Sequence, residues 1–283
     1  MNNNKIYEIQ KDKIIIKDLS QFNAEHILEC GQIFSYKKND DSYMVFSEDK
    51  VAKITENNKN IEIKSQNIDY FVNFFDLNTD YSKIKAKLKN FDCLKEPIKF
   101  GYGIRILNQN VFETIISFIV SANNNIKRIQ KILFAIRQKY GTKIDDYFAF
   151  PTKEQLANAT EEELLKLGAG YRAKYICKTA KLLLNEDVNL WQCLSTNALK
   201  QKLLSLCGVG PKVADCILLF AFHRGDSFPV DTWIEKMYNQ NFNQQNLTIS
   251  RHKMSENLVK TFGANSGYAQ QYLFYYQRSF LKK

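Results

Sequence analysis

The sequence predicts an α+β protein in which a twisted antiparallel β-sheet precedes a larger helical body. Up to about residue 100, short segments rich in β-branched and aromatic residues alternate with turn-forming Asn, Asp, Lys and Ser. From about residue 105 the apolar residues recur at the spacing of helices. We therefore expect an N-terminal sheet domain over residues 1–100 and a helical domain over residues 101–283.

Six segments carry the strand pattern, and together they predict a sheet of about five or six strands. They are residues 6–9, 13–16, 33–37, 42–46, 51–54 and 61–64. The Lys-Asn-Asp-Asp run at residues 38–41 predicts a hairpin turn between two of them. Two helices, near residues 68–75 and 81–91, are expected to follow the sheet.

The helical half is predicted from apolar periodicity and from capping signals. Helices are expected at residues 111–122, 125–140, 171–185, 187–194, 196–206, 212–222, 231–238, 250–262 and 265–281. Thr152 precedes Gln155, and Thr160 precedes Glu163, by the three residues typical of a capping box. The short helix that Thr160 opens is expected to stop at Gly168.

The chain is basic, with 40 Lys and Arg residues against 30 Asp and Glu, a net charge of +10. This imbalance favours an anionic partner, of which nucleic acid is the commonest. Biased codon usage is the alternative explanation, because Lys, Asn and Ile are abundant throughout the chain.

The six cysteines are scattered without a Cys-x-x-Cys pair, and the chain has three histidines. This pattern suggests neither a zinc site nor an iron–sulfur cluster, so we expect no metal and no organic cofactor. The N-terminus lacks the layout of a signal peptide, and no run of about 18 apolar residues occurs. We expect a soluble intracellular protein with free thiols and no membrane partner.

The most informative stretch is the predicted helical hairpin at residues 203–222. Gly208 and Gly210 flank Val209 in a turn too short for most side chains. The helix that follows begins beside these glycines, and such an N-terminus attracts phosphate. Lys212 stands in the first turn of that helix. A simple corner between two helices, with this lysine in solvent, is the alternative.

A second motif follows 19 residues after Lys212, where Pro229-Val230-Asp231 begins another predicted helix. Gly-Val-Gly-x-Lys-Val-Ala-Asp-Cys followed by Pro-Val-Asp resembles the helix-hairpin-helix DNA glycosylases, most closely the 8-oxoguanine DNA glycosylase family. The resemblance implies a bifunctional DNA glycosylase and AP lyase that excises 8-oxoguanine from double-stranded DNA by base flipping, a lysine Schiff base and β-elimination. We expect a monomer.

The same resemblance assigns the chemistry to two residues. Lys212 would be the amine nucleophile, and Asp231 the carboxylate that stabilises positive charge on the sugar. Gly208, Val209 and Gly210 would hold a DNA phosphate without reading sequence.

The resemblance also implies a pocket for the damaged base. Gly31 matches a glycine whose carbonyl accepts the N7 proton that 8-oxoguanine has and guanine lacks. From the residues alone, Gly31 only opens a predicted strand. Gln270 would bind the Watson–Crick edge of the base, while Phe274 and Cys216 would cover its two faces. Packing of a terminal helix is the alternative for the aromatic residues around Gln270.

Two further stretches resemble segments with which the family distorts DNA. Asn123 would fill the space left by the extruded base, and Arg128 would read its partner. After a glycine-rich turn, Tyr171 would wedge into the base stack and Arg172 would bond the orphaned base. An interhelical turn and a capped helix corner are the respective alternatives.

Two positions depart from the family pattern. Trp233 stands two residues after Asp231, where a histidine is usual, which puts any role of that histidine in doubt. Cys207 replaces the proline that often precedes the first glycine of the hairpin.

Two other functions stay open. One is a monofunctional alkylpurine DNA glycosylase, against which Lys212 argues because monofunctional relatives lack the lysine. The other is a non-catalytic helix-hairpin-helix DNA-binding protein. A repair glycosylase would act in the cytoplasm and nucleoid of a prokaryote or in the nucleus of a eukaryote.

Overall fold

A computed structural model describes residues 5–56, 60–243 and 247–280. In these residues a six-stranded antiparallel sheet comes first and a helical body follows, which confirms the predicted fold class. The strands are β1 (Tyr7–Gln10), β2 (Lys13–Ile16), β3 (Tyr36–Asn39), β4 (Ser42–Ser47), β5 (Lys50–Glu56) and β6 (Ile61–Lys64). Their order across the sheet is β1-β2-β6-β5-β4-β3.

The strand register follows the apolar alternation of the sequence. Ile14 of β2 pairs with Ile63 of β6, and Ile16 pairs with Ile61; all four side chains are buried. A shift by one residue would turn these side chains to the other face, so burial fixes the pairing. The predicted turn at residues 38–41 is confirmed by the close of the β3–β4 hairpin.

The third predicted strand begins later than expected. β3 starts only at Tyr36, so Gly31 lies in a loop, with a φ of +88°, and does not open a strand. Gln32 is buried in that loop, where its side-chain amide donates to the Arg105 carbonyl at 2.7 Å and accepts from the Leu107 N–H at 2.9 Å. These bonds to a distant part of the chain take the place of strand pairing.

Most of the helices agree with the predicted periodicity. The helices are α1 (Ala24–Leu28), α2 (Ile68–Phe74), α3 (Tyr81–Leu88), α4 (Asp92–Phe100), α5 (Val111–Ser121), α6 (Ile126–Tyr140), α7 (Lys153–Ala157), α8 (Glu161–Lys166), α9 (Arg172–Leu183), α10 (Thr196–Leu204), α11 (Pro211–Phe220), α12 (Thr232–Asn241), α13 (Arg251–Phe262) and α14 (Ser266–Phe280). The sequence missed α1, α4 and the small hairpin of β7 (Lys143–Ile144) with β8 (Tyr147–Phe148).

Local signals account for several helix boundaries. Both predicted capping boxes form, at Thr152 before α7 and at Thr160 before α8. The segment Val188–Cys193 is a 3-10 helix, whereas a helix over residues 187–194 was expected. None of the helices in the described ranges is long and apolar enough to cross a membrane.

Three apolar cores hold the elements together. The first lies between the sheet and α2, the second among α5, α6 and α9–α11, and the third joins α4 to α12–α14. The last helix, α14, also touches the loop before β3, because Gln271 donates to the Cys30 carbonyl at 2.8 Å. The fold thereby brings the C-terminal helix, the loop around residue 31 and the start of α11 to one place.

Candidate active site

The hairpin between α10 and α11 forms as the glycine pattern predicts, although its two glycines differ. Gly208 has a φ of +85°, and a Cβ atom there would lie 2.7 Å from the Cβ of Tyr175. Gly210 has an ordinary extended backbone, with a φ of −90° and a ψ of 178°, and caps α11 without a side-chain hydrogen bond. Pro211 occupies the first turn. The N-terminus of α11 is therefore left without a side-chain partner beside the hairpin.

Lys212 and Asp231 line one cavity at the base of α11. The Asp231 side chain caps α12, and its Oδ1 accepts from the N–H groups of Trp233 and Ile234 at 3.0 Å each. This capping fixes the carboxylate in place. Lys212 Nζ lies 5.6 Å from the centroid of the Phe118 ring, so an apolar surface borders the amine.

The cavity is small, about 40 Å³, and its lining joins residues from distant parts of the chain. It is lined by Gly31, Phe118, Lys212, Cys216, Phe220, Pro229, Asp231, Gln270, Gln271 and Phe274. The two predicted catalytic residues and the four predicted base-pocket residues are all present in this set. Such a volume holds about one water molecule, so a purine enters only after side chains move.

Phe274 is the side chain that packs most closely on Gly31. A Cβ atom built on Gly31 would lie 3.0 Å from Phe274 Cε1, and the positive φ also favours glycine at this position. The aromatic ring therefore rests directly on the backbone that would receive the base. An aromatic ring in the lining of a cavity can stack on a base.

Gln270 and Cys216 give the pocket its polarity. The Gln270 side chain is 5% exposed, and its Oε1 has no hydrogen-bond partner among the described residues. A buried acceptor left unpaired is costly and marks a place for a ligand donor. Burial raises the pKa of the Cys216 thiol to about 11, so this wall is neutral at physiological pH.

A larger cavity of about 780 Å³ shares Gly31, Lys212, Asp231 and Phe274 with the small one. It runs past the loop between α5 and α6, where Asn123 lies. The two cavities form one groove with a recess, a shape that suits a strand of DNA and an extruded base.

The loop at Asn123 is held from α9. Asn123 has a φ of +49°, and the Arg172 guanidinium donates to its carbonyl at 2.8 Å and to the Ala122 carbonyl at 2.5 and 2.8 Å. Arg172 is only 3% exposed. The Arg172 donors bind protein carbonyls in this structure, so the side chain positions the loop, and its bond to an orphaned base stays a prediction.

The other predicted DNA contacts lie at the surface. Tyr171 is 54% exposed, and its hydroxyl donates to the Ala122 carbonyl at 3.2 Å. Arg128 is exposed at the start of α6, 3.4 Å from the Gly168 carbonyl. Both side chains are exposed, and their contacts with DNA stay predictions.

Several lining residues were not predicted from the sequence. Phe118 stacks on Phe220 with a centroid distance of 5.5 Å, and this pair forms the floor under Lys212. Arg278 lines the larger cavity four residues after Phe274, a helical spacing that could have revealed it. Within the described residues no cluster of three His, Cys, Asp or Glu side chains could hold a metal ion.

Comparison with known proteins agrees with this geometry. The family model for the N-terminal domain of 8-oxoguanine DNA glycosylase matches residues 14–115, and that of the HhH-GPD superfamily of base excision DNA repair proteins matches residues 116–263. The chain belongs to the 8-oxoguanine DNA glycosylase family. An 8-oxoguanine glycosylase/lyase from Clostridium acetobutylicum, solved with double-stranded DNA containing cytosine opposite 8-oxoguanine, is 36% identical. The match covers 97% of this chain and 98% of that chain, with a TM-score of 0.91.

Curated members of the glycosylase family are similar over part of their length. The N-glycosylase/DNA lyase of Saccharomyces cerevisiae is 37% identical over 61% of this chain and 56% of its own length. The probable N-glycosylase/DNA lyase of Methanothermobacter thermautotrophicus is 31% identical over 72% of both chains. A 3-methyladenine DNA glycosylase from Archaeoglobus fulgidus, 18% identical with a TM-score of 0.76, shares the fold alone.

Proposed function

We propose that this protein is a bifunctional DNA glycosylase and AP lyase that excises 8-oxoguanine from double-stranded DNA in base excision repair. The observation that carries the proposal is the common cavity of Lys212, Asp231, Gly31 and Gln270. It joins an amine, a fixed carboxylate and two groups that can select a base. The name of the similar Clostridium protein supports the same substrate.

The chemistry follows from the amine and the carboxylate. The uncharged amine of Lys212 attacks the sugar C1′, and the bond from C1′ to the base nitrogen breaks with its electron pair leaving on the base. Asp231 stabilises the positive charge that develops on the sugar during this step. Opening of the sugar ring gives a Schiff base to Lys212, and loss of a C2′ proton then expels the 3′ phosphate by β-elimination.

Base selection falls to Gly31 and Gln270. The Gly31 carbonyl would accept the N7–H of 8-oxoguanine and repel the N7 lone pair of guanine. The unpartnered Gln270 Oε1 would accept from the donors of the Watson–Crick edge. A site built for these bonds leaves buried polar groups unpaired when guanine enters, which penalises the normal base.

The DNA itself is held without sequence readout. The hairpin Gly208–Gly210 and the open N-terminus of α11 offer backbone donors to a phosphate. Tyr171 would wedge into the stack, Asn123 would fill the vacated space, and Arg128 would contact the opposite base. A DNA substrate places the protein in the nucleoid of a prokaryote or the nucleus of a eukaryote, where we expect it to act as a monomer.

Borohydride trapping on a duplex with one 8-oxoguanine tests the proposal. Wild-type protein is expected to cross-link to the lesion strand, and Lys212→Gln to abolish the cross-link, because the amine that forms the Schiff base is gone. Lys127→Gln is the matched control, since Lys127 lines the larger cavity and has no assigned chemistry. If the wild type releases the base but is not trapped by borohydride, the protein is a monofunctional glycosylase. If it binds the duplex and releases no base, the protein is a non-catalytic DNA-binding protein.

A further inference from the structure

Arg278 continues the face of α14 that lines the base pocket. Gln270, Phe274 and Arg278 follow one another at intervals of four residues, so their side chains share one side of the helix. The first two carry roles in the proposed function. The third extends the same row toward the loop around Gly31.

The Arg278 guanidinium lies against that loop. Its Nη2 donates to the Glu29 carbonyl, and its Cζ lies 5.3 Å from the centroid of the Phe274 ring. A Cβ atom built on Gly31 would lie 3.1 Å from Arg278 Nη1. The guanidinium therefore contacts the residue whose carbonyl would recognise the damaged base.

Nη1 of Arg278 is buried and has no hydrogen-bond partner among the described residues. An unpaired charged donor is more costly than an ordinary lost hydrogen bond. Gln270 Oε1, on the same helix face, is an unpaired acceptor. Arg278 lines the larger cavity and Gln270 the recess, and Gly31 lines both, so a free donor lies on one side of Gly31 and a free acceptor on the other. This arrangement complements a ligand with an acceptor on one edge and donors on the other.

We propose that Arg278 Nη1 donates a hydrogen bond to O8 of the extruded 8-oxoguanine and is a specificity-determining residue; the inference rests on the proposed function. When the Gly31 carbonyl accepts the N7 proton, O8 on the adjacent ring carbon is the neighbouring acceptor on that edge. Gln270 Oε1 then meets the N1 and N2 donors of the opposite edge. Guanine carries hydrogen at C8 and offers Arg278 no acceptor there.

A DNA phosphate is the other acceptor within the groove. Arg278 Nη1 faces Gly31 and is shielded from solvent. Arg251 lines the same groove with a side chain that is 48% exposed, as expected for a contact with the DNA backbone. Because a phosphate stays at the surface while the base enters the recess, the buried position of Nη1 favours the base.

The test uses three duplexes that differ at one position: 8-oxoguanine, 8-thioguanine and the abasic analogue tetrahydrofuran. The thio analogue keeps the N7 proton but replaces O8 by sulfur, a weak acceptor. Single-turnover excision is measured on the two bases, and the dissociation constant on the abasic analogue. The variants are Arg278→Ala and Arg278→Lys, with Arg251→Ala as the matched control, and thermal melting checks folding.

Arg278→Ala is expected to slow excision of 8-oxoguanine about tenfold or more, the effect of one hydrogen bond to a charged group. The same variant should slow excision of 8-thioguanine much less and leave the affinity for tetrahydrofuran DNA unchanged. Arg278→Lys retains a charge that can bond the Glu29 carbonyl and support the loop. If this variant excises 8-oxoguanine more slowly but 8-thioguanine at nearly the wild-type rate, the effect comes from the O8 contact and not from loop support. Arg251→Ala should lower affinity for all three duplexes alike.

An equal fall in the excision rates of 8-oxoguanine and 8-thioguanine in the Arg278 variants would overturn the inference and indicate that Arg278 supports the loop. A fall in affinity for tetrahydrofuran DNA that matches Arg251→Ala would overturn it in favour of a phosphate contact. Wild-type rates in both Arg278 variants would overturn it while leaving the proposed function intact. Absence of 8-oxoguanine excision by the wild type would instead refute the proposed function itself.

Discussion

Alanine substitution at the two hairpin glycines separates folding from DNA binding. At Gly208 the φ is +85°, and a Cβ would lie 2.7 Å from the Cβ of Tyr175 and 2.8 Å from its Cγ and Cδ2. At Gly210 the backbone is extended, and no atom lies within 4 Å of the Cβ position. Gly208→Ala and Gly210→Ala therefore add the same methyl group to one turn. The methyl group clashes with Tyr175 in Gly208→Ala and meets no atom in Gly210→Ala.

The expected stability difference follows from these contacts. A non-glycine residue in the left-handed region costs about 1–2 kcal/mol. The backbone fixes the Cβ atom of Tyr175, which cannot rotate away from the new methyl group, and this adds about 1–3 kcal/mol of overpacking. Gly208→Ala should thus lose about 2–5 kcal/mol of the free energy of unfolding, whereas Gly210→Ala, at the N-cap of α11, should lose no more than about 1 kcal/mol.

Urea denaturation gives the two free energies of unfolding, and fluorescence anisotropy gives the affinity for an undamaged duplex. Gly210→Ala is expected to fold normally and still bind DNA more weakly, because its methyl group takes the space beside the open N-terminus of α11. Wild-type stability of Gly208→Ala would refute the steric reasoning. Wild-type DNA affinity of Gly210→Ala would show that no phosphate approaches this glycine.

Three further predictions concern the pocket. Asp231→Asn keeps an oxygen that can cap α12 but loses the charge, so single-turnover base release should fall by about 100-fold or more while the duplex dissociation constant changes little; an unchanged rate would contradict the role. In Gly31→Ala the new Cβ atom would lie 3.0 Å from Phe274 Cε1, and the backbone is in the left-handed region, so excision of 8-oxoguanine should slow while the affinity for undamaged duplex is retained. Equal falls in excision rate and duplex affinity would argue against an effect on the pocket. Burial raises the pKa values of the Cys30 and Cys216 thiols to about 11, so the folded protein keeps these protons at a pH where the unfolded chain has lost them. The free energy of unfolding should therefore decline as the pH rises from about 9 to 11. The decline for each thiol should be at most about 1.4 kcal/mol per pH unit. Urea denaturation across that pH range should show a shallower decline of the free energy of unfolding for Cys216→Ala than for the wild type. An identical slope would contradict a contribution of the buried Cys216 thiol to the pH dependence.

The sheet and most helices could be predicted because their signals are local. Ile14 and Ile16 lie two residues apart on one face of β2, and the capping boxes at Thr152 and Thr160 need only four consecutive residues. The loop at Gly31 could not be predicted this way. Its conformation depends on hydrogen bonds from the buried Gln32 to residues more than 70 positions away.

The site shows the same division between motif and packing. Lys212, Asp231 and Gln270 could be proposed from the sequence because each lies in a short motif that resembles the family, and the structure brings them to one cavity. The aromatic floor of Phe118 and Phe220 could not, because two apolar residues on separate helices carry no signal until α5 packs on α11. Sequence resemblance therefore predicts which groups react, and packing determines the surface that surrounds them.

Arg172 shows that a residue matched to the family can also support the fold. Its guanidinium makes all its hydrogen bonds within the protein and fixes the carbonyls of Ala122 and Asn123, which holds Asn123 at a positive φ. A base that bonds Arg172 would have to share or replace these bonds, and any carbonyl left unpaired would be costly. We expect recognition of the opposite base to depend on Arg128, on Arg172 and on an Asn123 loop that is already ordered before DNA binds, which lowers the entropy cost of binding.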